Sequence, residues 1–257
     1  MTKYIALSLA FAFVLVITPV QAQLAKPINS TPRKPLIFKT PPPPPNTGAP
    51  GQRKAGGSRG CLDVNVQNTQ SKEKVLTALA PEYSSSQLVL GLTILMRPTF
   101  WFYVPYKSDS IYAKFVLEDG NNQTIYKTPL KGTPGVVGVE LPATTEGLQI
   151  GKRYHWYFNI YCKQDDEFLT SVEGDVERKS LDPIFQSQLD KATPQQQVAL
   201  YAANGIWYEA LTTLANLRRT KAQDTLLASD WTSLLGSIGL QNIAAEPIVD
   251  CCKLQVE

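Results

Sequence analysis

Arg153-Tyr154-His155-Trp156-Tyr157-Phe158-Asn159-Ile160-Tyr161-Cys162 alternates in polarity, and Phe168-Leu169-Thr170-Ser171-Val172-Glu173-Gly174-Asp175-Val176-Glu177 answers it. Successive side chains of a strand point to opposite faces, so Tyr154, Trp156, Phe158, Ile160 and Cys162 share one face. With Lys163–Glu167 as the loop, antiparallel pairing sets Cys162 against Phe168, Phe158 against Val172 and Tyr154 against Val176, and leaves Gly174 opposite Trp156. The other face then pairs His155 with Asp175 and Arg153 with Glu177. Apolar meets apolar and opposite charges meet, whereas a slip of one residue would turn every side chain to the wrong face.

Upstream, Ala113–Leu117 runs into Glu118-Asp119-Gly120-Asn121-Asn122 and returns through Thr124–Lys127, the pattern of a hairpin. Gly135–Leu141 alternates Val137, Val139 and Leu141 on one face. Leu148, Gly151, Tyr154 and Trp156 have the spacing of a loop-into-strand corner in which a tyrosine hydroxyl bonds back to the preceding chain. The class expected for residues 61–180 is therefore mainly β, an Ig/fibronectin-III-like β-sandwich.

From Asp182 the period becomes helical. Asp182-Pro183 and Thr193-Pro194 read as cap-plus-proline helix starts, the second with Gln196 at the capping-box position. Asn204-Gly205 reads as a stop, Ile206–Arg219 carries one apolar stripe, and a further helix spans about Gln223 to Ile238. The first part, Gln195–Ala203 with Ile206–Arg219, resembles a single tetratricopeptide-like hairpin. One unit makes no solenoid, so residues 181–252 are expected to form a small helical subdomain packed on the sandwich.

Residues 1–22 read as a secretory signal peptide. Lys3 supplies the charge, Ile5–Ile17 the apolar run, and Val20-Gln21-Ala22 a cleavage site. The run is shorter than the roughly 20 residues that span a bilayer, and no later stretch is longer, so no transmembrane helix is expected in the mature chain. Residues 23–60 read as a disordered basic Pro/Gly-rich linker, with Pro41–Pro45 a polyproline II spacer. They hold Lys26, Arg33, Lys34, Lys39, Arg53, Lys54 and Arg59 and no acid, while all 22 Asp and Glu residues fall later. A net charge of +3 thus sums a basic arm and a mildly acidic body, and the arm is suited to peripheral contact with an anionic surface.

Four cysteines suit an oxidising compartment. Cys61 with Cys162 is the favoured bridge and leaves the neighbours Cys251 and Cys252. Adjacent Cα atoms stand closer than ordinary disulfides require, so cross-pairing to the body is the alternative.

Functional motifs are few. Gly56-Gly57-Ser58-Arg59-Gly60 matches a nucleophile elbow in letters but lacks the strand and helix that make one. His155 is the only histidine, which removes multi-histidine metal sites, and its pairing with Asp175 reads as a cross-strand contact. Glu173, Asp175 and Glu177 line one strand face, suggesting a hydrolase only as a distant third reading. Asp165-Asp166-Glu167 lacks the spacing of a dedicated calcium loop. No catalytic, cofactor-binding or metal residue is assigned. Phe100-Trp101-Phe102-Tyr103-Val104-Pro105-Tyr106 is aromatic on both faces. Because exposed aromatic patches are rare, one face is expected in the sandwich core and the other under the helices. Should the second face be open, Trp101, Tyr103 and Tyr106 are the candidate ligand contacts.

Several of these words together resemble a family of exported proteins, found mostly in cyanobacteria and catalogued as domain of unknown function 928. They are Gly48-Ala49-Pro50-Gly51 with Arg59-Gly60-Cys61, Leu76–Leu79, Pro98–Tyr106, Gly151–Phe158, Tyr201–Tyr208 and Asp230-Trp231, within a span of about 48 to 252. The resemblance implies an envelope or periplasmic setting and brings no activity, ligand or catalytic residue. The expected protein is an exported, non-enzymatic module of the periplasm, cell envelope or extracellular space. It would bind an envelope protein or polymer, with glycan or peptidoglycan binding through exposed aromatics as the alternative. No nucleic-acid partner and no cofactor are expected.

Overall fold

The computed structural model describes residues 34–45, 50–56, 74–107, 109–119, 123–128, 130–131, 133–144, 146–252 and 255–256. Contacts divide the chain into Met1–Lys34 and Pro35–Glu257, and the second unit is the one described below. The signal peptide and the Cys61 end of the expected Cys61–Cys162 bridge lie outside the described residues. No helix among the described residues is long and apolar enough to cross a membrane.

The structure is mainly β with helices at the C-terminal end. The strands are β1 (Thr77–Ala78), β2 (Glu82–Tyr83), β3 (Leu88–Thr93), β4 (Thr99–Val104), β5 (Ile111–Glu118), β6 (Gln123–Thr128), β7 (Gly135–Glu140), β8 (Arg153–Cys162), β9 (Phe168–Arg178), β10 (Ile248–Val249) and β11 (Gln255–Val256). One sheet runs β1-β4-β7-β10 and the other β11-β6-β5-β8-β9-β3-β2. Both are mixed, since β10 joins β7 and β3 joins β9 in parallel. Relative to the two antiparallel sheets of an Ig/fibronectin-III sandwich, the class expected above, those parallel pairs are additions.

The sheets pack through aromatic side chains. Phe102 on β4 stacks on Phe158 of β8 with centroids 4.0 Å apart, and Phe100 meets Phe115 of β5 at 4.8 Å. On β8 burial alternates residue by residue, with Trp156, Phe158, Ile160 and Cys162 at or below 1 % exposed. The register is the expected one from Arg153 opposite Glu177 through Phe158 opposite Val172. It departs at the loop end, where Phe168 pairs with Tyr161 and not Cys162. Leu169 is the extra residue. The bulge puts it in the core and leaves Phe168 half exposed against the Tyr161 ring on the outer face. Gly174 is required because a Cβ there would lie 2.7 Å from both the Trp156 ring and the Val89 side chain.

The expected tyrosine corner forms. The Tyr154 hydroxyl accepts from the Gln149 N–H at 3.1 Å, and Gly151 turns the chain with φ of +78°.

The helices are α1 (Pro183–Lys191), α2 (Pro194–Ala203), α3 (Trp207–Thr220) and α4 (Thr225–Gly236). Asp182 caps α1, Thr193 and Gln196 form a full capping box on α2, and Asp224 caps α4. Trp207, Leu211 and Leu214 of α3 and Trp231, Leu234 and Leu235 of α4 belong to the same apolar cluster as the sheet interior. Glu209 of α3, nearly fully buried, accepts from the Thr93 hydroxyl and from the Ile94 and Leu95 N–H groups, tying the helix to the end of β3. Burial raises its pKa above the ordinary carboxylate value, against the pull of those hydrogen bonds.

The linker expectation fails over its described part. Phe38 is 4 % exposed and meets the Trp207 ring edge-on at 4.8 Å. The Lys39 N–H donates to Ala202 O at 2.9 Å, and Gln52 exchanges both backbone bonds with Glu173. Arg53 pairs with Glu82 at 2.9 Å and donates to Ile238 O at 2.8 Å. An apolar anchor and paired backbone groups hold these residues despite their basic, proline-rich composition.

Candidate functional site: the Trp101 cavity

Trp101 sits in the middle of β4, where both strand faces are buried. Its register partner on β7 is Gly138. A Cβ on Gly138 would lie 3.1 Å from the indole, so the missing side chain is what makes room for the ring. The indole N–H donates to Thr212 Oγ1 at 2.9 Å, and the Arg219 guanidinium lies 5.2 Å above the ring centroid. Trp101 is therefore 2 % exposed.

Beside the indole lies a cavity of about 620 Å³. Thr212, Asn216 and Arg219 reach it from α3, where spacings of four and three residues place them on one helical face. Thr99 and Glu140 come from the adjoining strand ends, and the Thr99 hydroxyl donates to Glu140 at 3.3 Å. The last wall is Asp250-Cys251-Cys252. Arg219 holds this wall, donating to Val249 O at 3.1 Å and pairing with Asp250 at 3.5 Å. Cys251 and Cys252 are bonded to each other with Cα atoms 3.7 Å apart, so they do not cross-pair to the body. The Lys131 N–H donates to Cys251 Sγ at 3.3 Å, and Cys252 has φ of +72°. The volume, an apolar floor and a few converging polar groups are the attributes of a small-ligand site. One cation, Arg219, and two carboxylates, Glu140 and the largely exposed Asp250, belong to the lining.

Of the three aromatic candidates, only Trp101 lines this cavity. Tyr103 is 4 % exposed and its pKa is pushed up to about 12, by burial first and then by the charge and the hydrogen bond of Glu246, which also pairs with Lys74. Tyr106 is partly buried and packed against the core. No open aromatic platform forms from the three, because the side of β4 opposite the sheet core is covered by α3 and the C-terminal segment. Sequence reading missed Glu140, Thr212, Asn216, Arg219 and Asp250. The available signals were the lone glycine within Val137-Gly138-Val139 and the adjacency of the two cysteines.

The outer face of β8 and β9 is the second polar cluster. His155 Nδ1 lies 2.8 Å from Asp175 and Nε2 lies 3.1 Å from Glu173, so both ring nitrogens are engaged. Burial pulls the His155 pKa down, but the hydrogen bonds and charges of Asp175 and Glu173 outweigh it and raise the pKa above 6.5. Glu177 pairs with Arg153 at 3.5 Å and with Lys179. The expected cross-strand pairs are thus present, with Glu173 as a third partner that sequence reading had left out. Glu177 has two cations beside it, whereas Asp175 and Glu173 share the one imidazole of His155, which is charged only when protonated.

Further along this sheet, a groove of about 690 Å³ lies between Pro41–Pro45 and the residues Tyr83, Leu90, Leu92, Arg153 and Glu177. In the acidic loop, Asp165 accepts from the Glu167 N–H at 3.2 Å and Asp166 from the Tyr112 hydroxyl. Most of the nucleophile-elbow lookalike, from Gly57 to Gly60, lies outside the described residues. No group of three or more metal-ligating side chains occurs among the described residues.

A family model described as Domain of Unknown Function (DUF928) matches residues 54–248. No curated protein matches the chain.

Proposed function

The chain belongs to the DUF928 family, which brings no activity with it, and we propose that it is an exported, non-enzymatic binding module of the cell envelope. The observation that carries this reading is the Trp101 cavity, where an indole, a disulfide and the polar groups of Asn216, Arg219, Glu140 and Asp250 converge on one space. Export rests on the signal-peptide pattern of residues 1–22. The non-enzymatic part is supported by the outer face of β8 and β9, where both ring nitrogens of His155 are held by carboxylates and Glu177 is paired with Arg153 and Lys179. Kinship with fibronectin-III-like sandwiches is supported by the Tyr154 corner.

The test is capture from detergent-solubilised envelope by the mature chain and by an Asn216→Ala/Arg219→Ala variant. A ligand held by the first and released by the second is the expected result. Equal capture by both would move the binding surface away from the cavity. A saccharide as the ligand is the second reading, favoured by a lining in which Asn216, Glu140 and Asp250 accompany Trp101. Tryptophan fluorescence that stays constant on titration with peptidoglycan fragments would remove it.

A further inference from the structure

Cys251 and Cys252 are separated by one position in sequence. A disulfide stabilises a fold chiefly by closing a loop in the unfolded chain, and more so for longer loops. A bond between neighbours closes none, so this one leaves the unfolded ensemble almost unchanged. Its effects are local. It accompanies φ of +72° at Cys252, in the region ordinary side chains avoid, and it presents both sulfur-bearing residues to the Trp101 cavity. Cys251 is half-buried and within reach of the cavity, whereas Cys252 is 8 % exposed. The segment carrying them is held by Arg219, whose guanidinium also covers the Trp101 ring.

We propose that Cys251–Cys252 is a thiol–disulfide exchange site whose substrate is a dithiol, and that its redox state sets the shape of the Trp101 cavity. A thiolate of the dithiol attacks Sγ of Cys251, the less buried of the two residues, forming a mixed disulfide and expelling Cys252 Sγ as a thiolate that takes up a proton. The second thiol of the reductant gives up its proton, attacks the mixed disulfide and expels Cys251 Sγ, which is protonated in turn. The pair gains two electrons and two protons, and the dithiol leaves as a disulfide. Once the bond is cut, Cys252 is free to return to negative φ. Asp250-Cys251-Cys252 then moves on the cavity wall, and the movement passes through Arg219 to the face of Trp101.

The experiment titrates the mature chain with dithiothreitol, labels thiols with iodoacetamide and maps them by mass spectrometry, with tryptophan fluorescence read in parallel. Cys251 and Cys252 are expected to label at a dithiol concentration about tenfold or more below that which labels Cys162, itself disulfide-bonded, with one carbamidomethyl group added to each and a fluorescence change. That change is expected to vanish in Trp101→Phe and to be present without reductant in Cys251→Ser/Cys252→Ser. A pair that labels no earlier than Cys162 overturns the exchange site. Early labelling without a Trp101-dependent change overturns the coupling to the cavity. Because dithiothreitol is the probe, neither result depends on whether an envelope ligand is ever captured in the cavity.

Discussion

The outer face of β8 and β9 takes its charged partners from two strands joined by one loop, whereas the Trp101 cavity takes its walls from segments spread between Thr99 and Cys252. On the sheet face one register places His155 beside Asp175 and Arg153 beside Glu177, so the polar groups engage one another. In the cavity, groups that are strangers in sequence meet around an indole and leave space between them. Local pairing engages charged groups with one another, and non-local assembly leaves space between them, as it does also where Pro41–Pro45 meet Arg153 and Glu177.

The largest expected effects fall where distant segments are keyed together. Trp101→Ala removes a 2 % exposed ring and is expected to cost about 3–5 kcal/mol in urea unfolding, as buried aromatic truncations do. Phe38→Ala is expected to cost about 3 kcal/mol by the same measurement. A change near zero would show that the N-terminal segment does not dock on Trp207 in solution. On the sheet face, Gly174→Val drives a side chain into Trp156 and Val89 and is expected to cost about 1–3 kcal/mol through overpacking.

Tyr154→Phe removes only the hydroxyl that accepts from Gln149, and its expected cost is about 1 kcal/mol. The smallest effect belongs to His155. Its folded pKa is raised, so its stabilising contribution is complete below about 6.5, the ordinary histidine value, and is lost as pH rises through the folded value. The wild type is therefore expected to lose stability between pH 6 and pH 9 relative to His155→Gln, by under about 1 kcal/mol for a partly exposed cluster. A parallel pH profile in the two proteins would show that the imidazole carries no net interaction with Asp175 and Glu173.

Much of the sheet was legible because its signals are local. The alternation of β8, the need for Gly174 beside Trp156 and the charge pairs of the outer face all follow from one register. The bulge at Leu169 was not legible. The choice between burying Leu169 and burying Phe168 depends on what lies beneath the strand end, and the loop length alone does not state that. Helix starts at Asp182 and Thr193 were legible for the same local reason, since a cap is a bond between near neighbours.

The N-terminal segment shows the opposite case. Leu36-Ile37-Phe38 is too short an apolar run to show a period, and the backbone bonds of Gln52 to Glu173 carry no side-chain signature. The cavity was equally hidden. Trp101 was singled out as an aromatic on a two-sided strand, but Arg219 and Asp250 look like ordinary surface charges until α3 and the C-terminal segment are brought together. Short-range chemistry, read from the residues alone, marked β4 to β9, the starts of α1 and α2 and how β8 meets β9 up to the bulge, whereas β3 and the two-residue strands had no such signal. Only the tertiary structure decided which distant groups share a space, because side-chain identity specifies what a residue can bond to, and packing alone selects the partner it meets.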